Sequence, residues 1–192
     1  MNAIARTLVA LALLAPAAEA RTDRWLPLAP AATERTEVGA ARIGRFVYVA
    51  GGYEQGGSAQ SATVERYDLR RNRWRRMPDM PVGVNHPAVV TRRGKVFVLG
   101  GYATGGGATA AFQRFDPETG RWRRLPDAPT ARAALGAGVI GGRLYTAGGA
   151  AGGTAIDTLE VYDFARRRWS PGPAMPTSRE HVGAAVSGGA LY

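Results

Sequence analysis

The chain has 192 residues, 45% hydrophobic and 21% charged, proportions that suit one globular domain and argue against a disordered or collagen-like chain. It holds no cysteine, which excludes disulfides, thiolate-bound zinc, iron–sulfur clusters, a thiol nucleophile and a lipidated-cysteine anchor. Only Lys95 among its 25 basic residues is a lysine, and the 15 acids leave a net charge of +10, so where the charge sits decides whether a polyanion is an expected partner.

In chain order, Met1 to Ala20 reads as a secretory signal: Arg6 in a short leading region, an apolar run from Leu8 to Leu14, and Ala18-Glu19-Ala20 as a small-x-small cleavage site. Cleavage after Ala20 predicts a periplasmic or secreted product. No stretch approaches 18 uninterrupted apolar residues, so no transmembrane anchor is expected. Residues 23–28 then read as a single outermost strand.

From there one unit is written repeatedly. Gly51-Gly52 recurs at Gly100-Gly101 and Gly148-Gly149, spacings of 49 and 48, each after an alternating apolar run. Trp74, Trp122 and Trp169 keep the same rhythm, each seven residues after an aromatic (Tyr67, Phe115, Tyr162) that precedes an Asp. The intervals suit four short strands, a to d, and no helix: in one unit PAVVT, KVFVLGG, AAFQRFD and RWRRL. Gly-containing a–b turns and Pro-Glu-Thr-Gly at a c–d turn connect them, and paired prolines interrupt pairing at the d–a connections. The expected divisions are units 34–79, 82–127 and 130–174 and a partial unit 177–192.

The registered double glycine, aromatic–Asp pair and Trp resemble the kelch repeat over nearly all of residues 24–192. The resemblance implies an all-β fold, a propeller whose blades are four-stranded sheets with strand a lining a central channel. It further implies that the glycines and aromatics pack neighbouring blades. Some three and a third blades fall short of a closed ring, so 21–192 is expected to be an incomplete, open propeller, a fragment of a six- or seven-bladed protein.

The arginine clusters, among them Arg70 to Arg76, recur at the c–d turn and outermost strand. They read foremost as a solvated edge that discourages sheet-edge pairing, with weak contact to an anionic surface as the alternative. Nucleic acid is not expected, because no stacking platform accompanies the charge. The d–a and b–c loops share one face, where propellers bind ligands. Aligning on the a–b glycines sets Arg35-Thr36, Asn85-His86, Ala133-Ala134 and Glu180-His181 in equivalent places, with Arg132 and Arg179 one residue earlier. Arg35, Asn85, His86, Arg132, Arg179, Glu180 and His181 are therefore the candidate ligand-binding residues. Two histidines two blades apart are not expected to share a metal; no metal or cofactor is expected, and no catalytic set is legible.

Two functions follow. The first is an exported binding or scaffolding module taking a protein or carbohydrate through the d–a/b–c loop face. The second comes from the resemblance, which extends to bacterial kelch propellers that include a sialic acid mutarotase; there Arg132, Arg179 and Glu180 would polarise a sugar ring oxygen and move a proton. The copper-radical chemistry of the related galactose oxidase propeller needs a Tyr crosslinked to Cys, and this chain has no Cys.

Overall fold

The computed structural model describes residues 25–54 and 60–192. The expected signal segment and the start of the expected strand 23–28 lie outside the described residues. Within them the chain is all-β, with no helix.

Three four-stranded antiparallel sheets follow one another, each meandering in chain order. The first comprises Gly39–Ile43, Phe46–Ala50, Val64–Asp68 and Arg73–Met77. The second comprises Ala88–Arg92, Lys95–Leu99, Phe112–Asp116 and Arg121–Leu125. The third comprises Gly136–Ile140, Arg143–Ala147, Leu159–Asp163 and Arg168–Pro171. A hairpin of Val186–Ser187 and Ala190–Leu191 follows. The sheets are blades one to three, and the a strands of consecutive blades lie against one another.

The core occupies the seams between blades. Tyr48, Ala50 and Val64 of blade one meet Val96, Val98 and Phe115 of blade two. Phe97, Leu99 and Phe112 of blade two meet Leu144 and Tyr162 of blade three. Blade two is covered on both faces, which is why Val96 to Leu99 are all buried instead of alternating. In every blade the expected aromatic and Trp are directly paired, Tyr67 with Trp74, Phe115 with Trp122 and Tyr162 with Trp169, at ring separations of 5.0, 5.0 and 5.1 Å. Each indole N–H reaches the chain before its own blade: Trp74 donates to Ala29 O, Trp122 to Pro78 O and Trp169 to Pro126 O.

The expected strand 23–28 does not form over residues 25–28, where Trp25, Leu26 and Leu28 are exposed. No described strand runs beside it; the segment is held instead at Ala29, whose N–H donates to Asn72 Oδ1. The a–b turns also differ in a way that shifts the loop alignment. Blades two and three turn on Arg93-Gly94 and Gly141-Gly142, both residues at positive φ, whereas blade one turns on Gly44-Arg45 with only Gly44 at positive φ. These are the signatures of type I′ and type II′ turns. Gly44 is therefore the counterpart of Arg93, not of Gly94, and alignment on the glycine is one residue out in blade one.

Candidate binding face at the channel mouth

The double glycines build the seam on which the loop face stands. The second glycine of each pair donates to a d–a loop carbonyl of the next blade: Gly52 to Val84 O, Gly101 to Arg132 O and Gly149 to Arg179 O, at 2.8, 3.0 and 2.8 Å. A Cβ on Gly148 would lie 2.6 Å from Arg179 O, and its φ is +61°, so only glycine admits this approach.

Those acceptors define the true register of the loops. Arg35, Val84, Arg132 and Arg179 are equivalent, and the next but one residues, Glu37, His86, Ala134 and His181, share φ values of 55°, 53°, 54° and 51°. Their backbones form a relay across the blades: His86 N–H donates to Glu37 O, Ala134 N–H to His86 O and His181 N–H to Ala134 O, each at 2.9 Å.

The candidates separate into two groups. Arg132 is 1% exposed and points into the blade, where Nη1 donates to the carbonyls of Gly148 and Thr158 and Nη2 to Thr146 Oγ1 and Glu160 Oε2, the last at 2.5 Å. Arg35 repeats this with Gly51 O, Thr63 O and Glu65 Oε2, both side chains of that ion pair being 2% exposed. These two arginines are therefore wall braces, not ligand-facing groups, because every side-chain hydrogen bond they make is to their own blade. Burial pulls the Arg132 guanidinium below its ordinary pKa, against the opposing pull of Glu160. Blade two solves the same problem without charge: Val84 replaces the arginine, and Gln113 accepts from Val82 N–H and donates to Val82 O.

The second group lies at the mouth. His86 and His181 meet edge to face with centroids 4.8 Å apart, and His86 Nε2 is 2.9 Å from Glu37 Oε2. The two histidines thus converge despite their separation by two blades. Among the described residues, however, no group of three or more His, Asp or Glu is placed to hold a metal ion. These side chains line a cavity of about 310 Å3 with Val38, Leu135 and Val182. Asn85 is fully buried behind them, its Oδ1 2.5 Å from His86 Nδ1 and its Nδ2 unpaired among the described residues. Burial holds the His86 pKa down, Glu37 raises it and His181 lowers it further, for a net depression. Arg179 is exposed and donates to Thr177 Oγ1, and Glu180 sits 3.8 Å from His181 Nδ1. Arg132, one of three residues the mutarotase reading requires, is thus turned away from the other two.

The recurring Asp68, Asp116 and Asp163 cap the c–d turns by accepting from backbone N–H groups. Hydrogen bonds from Arg166, backbone then side chain, lower the Asp163 carboxyl to about 2. Sequence reasoning missed Glu37, Glu65 and Glu160. The last two carried a usable signal, an Arg sixteen residues before the first glycine and a Glu on strand c. Glu37 was hidden by the turn shift in blade one.

Repeated meandering sheets, stacked about their innermost strands and stitched by double glycines, define an open β-propeller with a loop face fixed by backbone hydrogen bonds. The chain belongs to the Kelch-repeat domain family: residues 37–192 match the KLHDC2/KLHL20/DRC7 Kelch-repeats domain. It is similar to an F-box/kelch-repeat protein of Arabidopsis thaliana, 40% identical over 60 residues, 31% of this chain and 14% of that protein. It is also similar to Kelch-like protein 9 of Mus musculus, 32% identical over 89 residues, 45% of this chain and 14% of that protein. Among solved structures, that of YjhT superposes with a TM-score of 0.78 at 19% identity, over 90% of this chain and 63% of YjhT. The matches thus span about a seventh of these two curated relatives and under two thirds of the solved one. No helix among the described residues is long and apolar enough to cross a membrane.

Proposed function

We propose that the chain is an exported binding module that takes a protein partner on its d–a/b–c loop face, at the mouth lined by Glu37, His86 and His181. One observation carries this reading. Four equivalent non-glycine residues stand in the left-handed region, at φ 51–55°, where a side chain costs roughly 1–2 kcal/mol relative to the right-handed helix region. The other described non-glycine residues at positive φ, Asn72, Arg93 and Arg167, sit in tight turns between strands and do not recur in every blade. Side chains held in that conformation, on a backbone relay that fixes their direction, suit contact with a ligand. The kelch relatives favour protein recognition as the use of such a face.

The test is crosslinking from the mouth. A photoreactive amino acid at position 181 should capture a discrete partner from the exported fraction, and His86→Ala should weaken that capture. Equal capture from a probe at Glu118, on the opposite turn face, would overturn the reading. The export half is tested separately by N-terminal sequencing, which should begin at Arg21.

A further inference from the structure

The face opposite the loops carries clefts that the module reading leaves unused. On strands c and d of blade one, Arg66 is directly paired with Arg75, and in blade two Arg114 with Arg123. Directly opposed like charges destabilise an antiparallel pair. Blade three has Val161 and Ser170 at this place, so the fold itself does not require the arginines. Their neighbours on the other face of the same outer strands are neutralised, Arg76 by Asp79 at 2.9 Å and Arg124 by Asp127 at 2.7 Å. Among the described residues, Arg66, Arg75, Arg114 and Arg123 have no carboxylate partner, and the Nε atoms of Arg66 and Arg114 are buried and unpaired.

Each pair lines a cleft, of about 350 Å3 in blade one and about 330 Å3 between blades two and three. The first is lined by five arginines and one acid, Asp68, which pairs with Arg45; the second is lined by five arginines and Lys95 with no acid, although Lys95 itself reaches Asp116 and Glu118. Two of the aromatic rings there are already covered by guanidinium groups: Arg66 and Arg45 lie 4.1 and 4.8 Å from the Phe46 centroid, and Arg92 lies 4.5 Å from that of Phe164. The other rings lining the clefts are Trp74 in the first and the buried Phe97 and Tyr162 in the second. A concave cleft with facing guanidinium forks suits a carboxylate or sulfate held from two sides. Two such clefts on consecutive blades suit acid groups repeated along one chain.

We infer that these paired-arginine clefts bind an acidic polysaccharide, one anionic sugar to each cleft. The inference is independent of the loop-face reading and involves none of its residues. It is tested by calorimetric titration of the full chain with polygalacturonate and with heparin at low salt, which separates carboxylate from sulfate as the preferred acid. Arg75→Gln/Arg123→Gln should weaken binding at least tenfold, while Arg76→Gln/Arg124→Gln, with the same change in net charge, should stay within about twofold of wild type. Because removing a like-charge pair relieves repulsion, the first variant should melt no lower than wild type, which keeps lost binding distinct from lost folding. Equal losses in both variants would reduce the effect to diffuse charge and overturn the inference, as would no binding by wild type. Oligo-dT or phosphatidylglycerol vesicles binding as tightly as both polysaccharides would overturn the ligand class.

Discussion

Replacing Arg132 with Val strips the guanidinium from a pocket in which Glu160 is 4% exposed. Glu160 keeps one side-chain donor, Thr130 Oγ1 at 2.7 Å, and the carbonyls of Gly148 and Thr158 lose the donor that joins them. Removing one partner of a buried ion pair leaves an uncompensated charge, a cost of about 3–5 kcal/mol, or roughly 6–20 °C in Tm for a chain of this length. Blade two supplies the remedy, since Val84 and Gln113 occupy the equivalent places without charge. Adding Glu160→Gln to Arg132→Val lets the amide turn to the backbone of Thr130 as Gln113 turns to Val82, and the double variant should recover most of the loss, because a neutral replacement of a buried ion pair is often close to isoenergetic. Urea unfolding followed by tryptophan fluorescence, with the single variants completing the cycle, reads both quantities. A single variant costing under about 1 kcal/mol, or a double variant less stable than Arg132→Val, would refute the assignment of Arg132 as a wall brace.

Two other perturbations follow from the same geometry. Gly148→Ala combines a strained φ with a Cβ driven toward Arg179 O, and should cost on the order of 2–3 kcal/mol, with faster hydrogen exchange at Gly149 N–H, whose acceptor is that carbonyl; unchanged exchange would refute the seam. The His86 pKa is depressed in the folded chain relative to 6.5, so the unfolded chain binds more protons between the two values and stability must rise with pH there. The contribution is intact above 6.5 and is lost as pH falls toward the folded value. Urea midpoints at pH 7.5 and 5.5 should therefore differ in wild type and converge in His86→Gln; an undiminished drop would exclude His86 as its source.

The repeat was legible because its markers are set by packing that any blade must satisfy. Glycines where a Cβ would strike the next blade, an aromatic paired with a Trp, and prolines between blades all recur for steric reasons and keep their spacing in the sequence. The braces were not read because charge is an unreliable guide to burial: Arg35 and Arg132 look like surface residues until Glu65 and Glu160 are seen opposite them. The one-residue slip at Glu37 arose because a II′ turn places its glycine first, whereas the I′ turn on Arg93-Gly94 has glycine second. Residues 25–28 carry a strand-like composition, but a strand needs a neighbour, and none of the described strands supplies one.

Blade two shows how the framework and the candidate site divide their roles. It alone gives up the Arg–Glu brace, and it alone places an amide, Asn85, behind its mouth residue. Full hydrogen bonding of both His86 nitrogens, to Asn85 Oδ1 and Glu37 Oε2, requires the imidazolium, yet burial favours the neutral ring. The conflict resolves if the Asn85 amide turns over, since its unpaired Nδ2 then donates to a bare Nδ1 while Nε2–H remains on Glu37. Blade two thus joins a neutral wall, Val84 and Gln113, to the His86–Glu37 contact at its mouth, between blades braced by Arg35–Glu65 and Arg132–Glu160.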